Sequence, residues 1–305
     1  MMSEYLLSTS GLTKQFGKHK AVNDVNLHVK KGAIYGFIGR NGAGKTTFLK
    51  MICGLSKPTY GEIELFGYKN EGLKNVRSRI SCLIEAPGLY GNMSASENLA
   101  VKCKLFGIND KKYMDKILDT VGLSKVGKKK AKHFSLGMKQ RLGIGLALVG
   151  GPDLLVLDEP INGLDPVGIR QTRDLLVHLK EACGTTILIS SHIISEIEQL
   201  ADTVGVINKG RMLKEMPMEE IRREAVQYLE VHVNDVRKAA IALEERYGRL
   251  NYKIISDSGL RIYQDLPFDE ISRLLVQAGV AILNMGSKND TLEDYFFGML
   301  GEDGE

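Results

Sequence analysis

Short apolar runs, rich in β-branched side chains, recur along the first two thirds of the chain and predict buried strands. They lie at 34–38, 154–157, 186–189 and 204–207. Stretches with helical spacing separate them, and such an alternation is typical of a largely parallel sheet with crossover helices. The pattern therefore predicts one α/β domain over residues 1–217.

One part of this region, at about 89–150, has a helical pattern with no strand between its helices. Ser94-Ala95-Ser96-Glu97 is a capping box, the arrangement in which a serine and a glutamate satisfy the first free N–H groups of a helix. A second helix is expected near 111–121. The sequence thus predicts a helical insertion within the α/β domain.

Beyond residue 217 the pattern of elements changes, which predicts a second, smaller domain at 218–305. Its elements are expected in the order strand, helix, strand, strand, helix, strand, at 228–233, 236–247, 252–256, 260–264, 268–278 and 281–286. This βαββαβ order is that of ferredoxin-like α+β domains. A last helix is expected at 292–300.

The composition agrees with a globular chain of this size: 305 residues, of which 43% are hydrophobic and 26% charged. A net charge of +4 is too small to indicate nucleic acid or an anionic surface as a partner. The N-terminus lacks the pattern of a secretory signal, and no apolar run is long enough to cross a bilayer. We therefore expect a cytoplasmic protein.

Four cysteines, Cys53, Cys82, Cys103 and Cys183, are widely separated in the sequence. Their spacing is not that of paired metal ligands, and disulfides are rare in a reducing compartment. We expect all four to be small buried hydrophobic residues.

The run GRNGAGKT at 39–46 satisfies the P-loop pattern, between a predicted strand and a predicted helix. Backbone N–H groups of such a loop surround phosphate oxygens at a helix N-terminus. Lys45 adds a positive charge that assists catalysis, and the Thr46 hydroxyl is expected to ligate Mg²⁺. The predicted phosphate-binding residues are Gly39, Asn41, Gly42, Ala43, Gly44, Lys45, Thr46 and Thr47. A glycine-rich turn without a ligand is the weaker interpretation, because the flanking elements also match.

A second apolar strand ends in two acids, Asp158 and Glu159. In a parallel sheet both carboxylates are delivered to the edge at which the P-loop opens. We expect Asp158 to hold Mg²⁺, and Glu159 to orient and deprotonate the attacking water. A strand ending in Asp-Glu is often only a polar strand end, so this interpretation depends on the P-loop.

The run FSLGMKQR at 134–141 places Ser135 as the cap of a helix, where its hydroxyl and free N–H groups suit an anion. The run resembles the signature motif of the ABC ATPases, and P-loop, signature and acidic strand occur here in that family's order. Leu136 and Met138 stand where the family has glycine and glutamine, whereas Ser135 and Gly137 match. The resemblance extends over residues 5–210.

The resemblance implies roles for further residues. Phe16 occupies the position that stacks on adenine, and Asp165, in GLDP at 163–166, lies in the loop that couples two ATP sites. His192 resembles the switch histidine that contacts the γ-phosphate. Without the resemblance, Phe16 would be interpreted as a core residue, Asp165 as part of an ordinary turn and His192 as a structural residue.

The loop that carries a glutamine between metal and permease in this family reads LIEAPGLY at 83–90, so Glu85 takes the place of the glutamine. A carboxylate can still ligate Mg²⁺, and we expect Glu85 to act in both metal binding and catalysis. The chain resembles ATPases of bacitracin and lantibiotic export and immunity systems. The resemblance rests on this glutamate, on the FSLGMKQR form of the signature and on the chain length.

The resemblance implies an ATP-hydrolysing subunit of an ABC exporter for antimicrobial peptides or drugs, with ATP and Mg²⁺ as cofactors. The implied partners are a second ATPase copy and a separate permease that holds the chain at the inner membrane face, with no direct nucleic-acid contact. The alternative is a soluble ABC-type ATPase acting on nucleic acid or ribosomes, although the second cassette or long coiled coil usual in that class is missing here. A P-loop kinase or GTPase would leave the signature unexplained.

Overall fold

The computed structural model describes residues 4–224, 227–264 and 266–289. The strands in these ranges are β1 Tyr5–Phe16, β2 His19–Lys30, β3 Ile34–Ile38, β4 Tyr60–Leu65, β5 Tyr68–Lys69, β6 Ile80–Leu83, β7 Leu154–Asp158, β8 Thr186–Ser191, β9 Thr203–Asn208, β10 Arg211–Pro217, β11 Gln227–Val233, β12 Tyr252–Ser256, β13 Gly259–Ile262 and β14 Ile282–Asn289. The α-helices are α1 Lys45–Ile52, α2 Ala95–Leu105, α3 Lys111–Thr120, α4 Leu136–Leu148, α5 Pro166–Cys183, α6 Ile194–Glu198, α7 Met218–Glu224, α8 Val236–Tyr247 and α9 Phe268–Gln277. The helix expected at 292–300 lies outside the described residues.

The predicted parallel sheet is confirmed and has the strand order β10-β9-β3-β8-β7-β6. All neighbouring pairs from β9 to β6 are parallel, and β10 adds an antiparallel edge. Every residue of β3, β7 and β8 is buried, as expected for parallel strands that are covered on both faces. The carboxyl ends of these three strands therefore meet at one edge of the sheet.

A second, antiparallel sheet with the order β2-β1-β4-β5 was not foreseen from the sequence. Its long strands β1 and β2 mix buried and exposed positions, and β1 carries several register shifts that interrupt a regular alternation. One core cluster joins residues of both sheets with the buried face of α1, which includes Phe48 and Leu49. Burial of each such side chain contributes about 1.5–3 kcal/mol, so α1 is firmly held between the sheets.

The helical insertion is confirmed by α2, α3 and α4, which lie within 89–150. Both hydrogen bonds of the predicted capping box are present, from Glu97 N to Ser94 Oγ at 3.3 Å and from Ser94 N to Glu97 Oε2 at 2.6 Å. This box lowers the pKa of Glu97 to about 2, chiefly through the bond from the Ser94 backbone. The first turn of α2 is thus set by local sequence.

Contacts divide the chain into two units, Met1–Glu220 and Ile221–Glu305. In the second unit the strand order is β12-β13-β11-β14, with all pairs antiparallel and with α8 and α9 contributing to its core. The elements follow one another in the order read from the sequence, while the ferredoxin-like assignment stays a prediction. Among the helices of the described residues, none has the length and apolarity needed to span a membrane.

The expectation that all four cysteines are buried was wrong. Of the four, Cys103 is buried, whereas Cys183 is exposed at the end of α5. Cys53 and Cys82 are half-buried and pack against the same core cluster, although they are far apart in sequence. Periodicity did not reveal their partial exposure, because it depends on how the elements pack.

Candidate functional site

The P-loop connects β3 to α1 at the carboxyl edge of the parallel sheet. Gly42 and Gly44 have φ values of 81° and 107°, which glycine adopts without strain. A Cβ atom at Gly44 would lie 2.3 Å from the Ala21 carbonyl oxygen, and one at Gly39 would lie 2.5 Å from the Ile207 carbonyl oxygen. Gly39 and Gly44 must therefore be glycine, because a Cβ atom at either position would collide with a backbone carbonyl oxygen.

The Lys45 side chain lies at the base of this loop and is 5% exposed. Its Nζ donates to the Gly39 carbonyl oxygen at 2.6 Å and is 3.0 Å from Glu159 Oε1. An ammonium group with so little exposure needs such partners, since an unpaired buried charge is costly. Lys45 thus places a fixed positive charge beside the carboxylate at the end of β7.

Residues of this loop line an open cavity of about 310 Å³. The lining residues are His19, Ala21, Arg40, Asn41, Gly42, Ala43, Gly44, Lys45, Thr46, Thr47 and Glu159. Eight of them are among the predicted phosphate-binding and catalytic residues, whereas His19, Ala21 and Arg40 were missed. Arg40 lies inside the P-loop pattern at a position whose residue type the pattern leaves open, so no signal marked it.

The Asp158 carboxylate is held from two sides by hydroxyl groups. Thr46 Oγ1 donates to Asp158 Oδ2 at 2.7 Å, and Ser190 Oγ donates to Asp158 Oδ1 at 2.6 Å. These oxygen atoms are hard ligands of the kind that Mg²⁺ prefers, so the donor set fits that ion. Ser190 was not assigned this contact from sequence; it is the register partner of Asp158 in the β7–β8 pair.

Glu159 follows β7 with a φ of 50°, an uncommon conformation for a residue with a side chain. Its backbone N–H donates to Ser190 Oγ at 3.0 Å. While one carboxylate oxygen faces Lys45, the other, Oε2, is 2.7 Å from His192 Nδ1. The carboxylate therefore lies between a lysine and a histidine and can accept a proton from a water in the cavity.

The structure does not bring every predicted residue to this cavity. Phe16 is at the end of β1 with a side chain that is 55% exposed, and Lys14 Nζ lies 5.1 Å from its ring centroid. Its register partner His19 lines the cavity instead. Phe16 is therefore near the cavity along the chain without lining it.

Glu85 also lies outside the lining of the cavity. It has a φ of 65° in the loop after β6, and its carboxylate is exposed. Its Oε1 accepts from Lys50 Nζ at 2.7 Å, and this bond lowers the pKa of Glu85 below its ordinary value. The expected metal ligand thus pairs with the P-loop helix in this structure.

The two remaining predicted motifs begin helices. Ser135 caps α4 by accepting from Met138 N at 3.3 Å, and Asp165 caps α5 by accepting from Gly168 N at 3.0 Å. A Cβ at Gly137 would lie 3.5 Å from Gly168 Cα, so the two helix starts are close together. Ser135 and Leu136 are exposed, whereas Gly137 in the same turn is buried.

Comparison with known proteins identifies the class. The family model described as ABC transporter matches residues 22–162, which include the P-loop, Ser135 and the Asp158-Glu159 pair. The bacitracin transport ATP-binding protein BcrA of Bacillus licheniformis is 45% identical over 300 residues, 97% of each chain. The chain belongs to the ATP-binding proteins of the ABC transporters, and it is an ATPase.

Two further comparisons agree with this. The lantibiotic transport ATP-binding protein SrtF of Streptococcus pyogenes is 43% identical over 210 residues, 69% of this chain and 90% of SrtF. The dimeric ATP-binding cassette MJ0796, in a post-hydrolysis state bound to ADP and Pi, is similar with a TM-score of 0.61 and 25% identity, over 70% of this chain and 98% of that one. The nucleotide-binding fold is therefore shared with a cassette that has hydrolysed ATP.

Proposed function

We propose that this chain powers a separate membrane permease that exports an antimicrobial peptide or a drug and confers resistance to it. The observation that carries the proposal is the likeness to BcrA, which extends over 97% of this chain and so includes the second unit as well as the ATPase unit. By this proposal the chain lies at the inner face of the cell membrane, bound to its permease.

In the proposed site the P-loop surrounds the β- and γ-phosphates of ATP, with Lys45 as the main cation and Thr47 as a further donor. The Thr46 hydroxyl and the Asp158 carboxylate, which already contact each other, would hold Mg²⁺. That ion supplies charge neutralisation for the phosphate oxygens when it is bound. Ser190 holds the Asp158 carboxylate in the orientation that the ion requires.

The Lys45–Glu159 ion pair suggests how ATP activates its own hydrolysis. An incoming γ-phosphate would compete with the Glu159 carboxylate for the same ammonium group, because both are anions and Lys45 Nζ is 3.0 Å from Glu159 Oε1. Loss of this pair frees Oε1 of Glu159 to accept a proton from water, while Oε2 stays beside His192. Glu159 thus becomes a base as the phosphate arrives.

The proposed partner is a second ATPase copy, identical or closely related. Ser135, exposed, and Gly137, buried, lie at the start of α4 and outside the P-loop cavity. We assign them to the ATP held by the second copy, with Asp165 connecting the two sites. Phe16 would stack on adenine, and Glu85 would pass the motion of the dimer to the permease and approach Mg²⁺ when the dimer closes.

The test is a co-purification from membranes with the full chain carrying Glu159→Gln, in Mg-ATP, which is expected to hold the closed dimer. A multi-span protein identified by mass spectrometry supports the proposal and names the permease. Glu230→Gln in the second unit is the matched control, because it also exchanges a glutamate that pairs with a lysine and a histidine. Recovery of ribosomal proteins or nucleic acid, without a membrane protein, would establish the soluble alternative.

A further inference from the structure

The helical insertion carries an excess of positive charge that the net charge of the chain conceals. Residues 89–150 contain eleven lysines and one arginine against four acidic residues, a net charge of +8 with histidine neutral, whereas the whole chain has a net charge of +4. The rest of the chain is therefore net acidic. A local excess of this size is large enough to attract an anionic partner, although the net charge of the whole chain is not.

The lysines of the insertion are concentrated in two segments, 102–112 and 125–132. The first runs from the last turn of α2 to the first turn of α3 and contains Lys102, Lys104, Lys111 and Lys112. The second contains five lysines and no acidic residue. Eight of the eleven lysines in the insertion are exposed. Among the described residues, no carboxylate forms an ion pair with Lys104, Lys111 or Lys112, so these charges are available to a partner.

Two of the four acidic residues of the insertion are already engaged. Glu97 Oε2 is 3.0 Å from Lys130 Nζ, and Asp110 caps α3 by accepting from Lys112 N at 2.8 Å. The other two, Asp115 and Asp119, lie further along α3. The positive charge of the two lysine segments is thus little reduced by carboxylates of the insertion.

Both lysine segments lie along one exposed face of α2. The Lys130–Glu97 ion pair places the loop 125–132 beside the first turn of this helix. Lys104 and Leu105 follow Glu97 by seven and eight residues, a spacing that puts all three side chains on the same face of an α-helix. This face therefore carries lysine charge at both of its ends.

Two large apolar side chains lie among the lysines of segment 102–112. Leu105 is 78% exposed and Phe106 is 48% exposed. The Phe106 ring is held in place, because Lys102 Nζ lies 5.1 Å from its centroid and a Cβ atom at Gly150 would lie 2.7 Å from a ring carbon. Exposed apolar groups surrounded by lysines are typical of segments that bind a membrane interface, where the apolar groups enter the acyl boundary and the ammonium groups stay with the headgroups.

We propose that this face of α2, with the segments 102–112 and 125–132, binds the anionic headgroups of a phospholipid bilayer and inserts Leu105 at the headgroup boundary. The contact would hold the chain at the membrane through lipid, in addition to the proposed permease. Long-range attraction comes from the exposed lysines, and the depth of binding is set by the apolar side chains at the end of α2.

The choice of basic residue favours lipid over a protein or nucleic acid. Arginine suits fixed, bidentate recognition of carboxylates and phosphates, whereas the compact charge of lysine on a flexible stem suits a fluid array of phosphates. The insertion has eleven lysines and one arginine, and Nη1 of that arginine, Arg141, donates to the Val121 carbonyl oxygen. Lysine is also depleted in protein interfaces. Stacking of Phe106 on a base is obstructed by Lys102 and Gly150.

The experiment measures co-sedimentation of the full chain with vesicles of phosphatidylcholine alone, and with vesicles of equal parts phosphatidylcholine and phosphatidylglycerol. We expect binding to the phosphatidylglycerol vesicles alone, weakening as salt is added, because salt screens the lysine charges. The double variant Lys111→Gln, Lys112→Gln should lower the partition coefficient by roughly 10–30-fold. The matched control Lys31→Gln, Lys74→Gln removes two exposed lysines outside the insertion and should bind as the parent does.

The apolar part of the contact has a test of its own. Leu105→Ser should lower binding to the phosphatidylglycerol vesicles by about tenfold at every salt concentration, because burial of a leucine does not depend on screening. Leu55→Ser exchanges another exposed leucine, in the segment after α1, and should leave binding unchanged. Equal loss in both variants would overturn the insertion of Leu105.

Three results would overturn the lipid surface. These are equal binding to both kinds of vesicle, full binding by the Lys111→Gln, Lys112→Gln variant, and equal loss in the Lys31→Gln, Lys74→Gln control, which would indicate adsorption through overall charge. Binding to a short duplex RNA, without binding to vesicles, would assign the lysines to nucleic acid instead and so also overturn it. The vesicles contain no permease, so each result is independent of the proposed transport function.

Discussion

Two glutamates, one in each unit, have almost the same partners and differ in what surrounds them. Glu159 is paired with Lys45 and His192, and Glu230 is paired with Lys288 and His232 and also with Arg261. The Lys288 Nζ is 2.7 Å from Glu230 Oε1, as close as the histidine of Glu159 is to its carboxylate. Partner identity alone therefore does not distinguish a reactive carboxylate from a structural one.

Position within the strand makes the distinction. Glu230 lies in the middle of β11, between β13 and β14, where both neighbouring strands supply its cations. Glu159 lies just past the end of β7 in a left-handed conformation, with a 310 Å³ cavity on one side. A carboxylate within a ladder is saturated by fixed neighbours, whereas one at a strand end can exchange a partner for a ligand.

The strongest way to break this comparison is Glu159→Gln. Removal of the base should lower the rate of ATP hydrolysis by about 10²–10⁴-fold, the contribution that general bases commonly make. Affinity for ATP should remain, because Lys45 and the loop N–H groups are intact. Phosphate release and nucleotide binding measured on the same preparation check this, with Glu230→Gln as the control that retains turnover. Near-normal hydrolysis in Glu159→Gln would remove Glu159 from the role of base.

A second variant, Ser190→Ala, tests whether the position of the carboxylates at the strand end matters. Ser190 Oγ donates to Asp158 and accepts from the Glu159 backbone, so its loss leaves both groups less fixed. A hydrogen bond to a charged group contributes about 1.5–3 kcal/mol, which corresponds to a loss of roughly 10–100-fold in kcat. Ser190→Thr should restore most of the rate, since the hydroxyl returns; equal loss in both variants would indicate a packing effect instead.

The sequence predicted the residues of the site at the end of β7, but it did not predict the charged group around Glu230 in β11. Lys45, Thr46, Asp158, Glu159 and His192 were predicted because each has a fixed place relative to a motif, and the structure brings them together. The Glu230 group was not predicted, because its partners come from three strands whose register only the fold determines.

The same reasoning accounts for the other gaps in the prediction. The partial exposure of Cys53 and Cys82 and the place of His19 in the cavity depend on packing between elements, which residue spacing along the chain does not show. The antiparallel sheet that contains β1, β2 and β4 was not predicted, because register shifts interrupt the alternation of buried and exposed residues along its strands. The capping box, by contrast, is a local signal and was predicted correctly.

The converse test places the substitution in the second unit. Glu230→Gln keeps the shape of the side chain but leaves the charges of Arg261 and Lys288 without their carboxylate, which should cost about 1–2 kcal/mol after allowance for the exposure of Lys288. Faster hydrogen exchange at β11 amides, with unchanged exchange in β7, measures this. Unchanged exchange in β11 would show that the charge group contributes nothing to that unit.

The dependence of this stability on pH has a definite sign. Hydrogen bonding from Lys288, and to a lesser extent from His232 and Arg261, lowers the pKa of Glu230 below its ordinary value. Its contribution is therefore complete above the ordinary pKa of a glutamate, near 4.3, and is lost as the pH falls through the lower folded value. Protection of β11 should decline in acid in the parent chain and less so in Glu230→Gln.

Glu85 provides the smallest and most specific test, because it combines features of both glutamates. It shares the left-handed backbone of Glu159 but is exposed and paired with Lys50. Glu85→Gln should change the affinity for ATP by no more than about twofold, since an exposed ion pair contributes about 0–1 kcal/mol. We expect it to alter resistance or transport in cells more than nucleotide binding. Lys50→Gln is the matched control, since it removes the same ion pair and keeps the carboxylate. If both variants lower resistance equally, the Lys50–Glu85 ion pair carries the effect. If resistance is unchanged in both, Glu85 has no part in coupling to the permease.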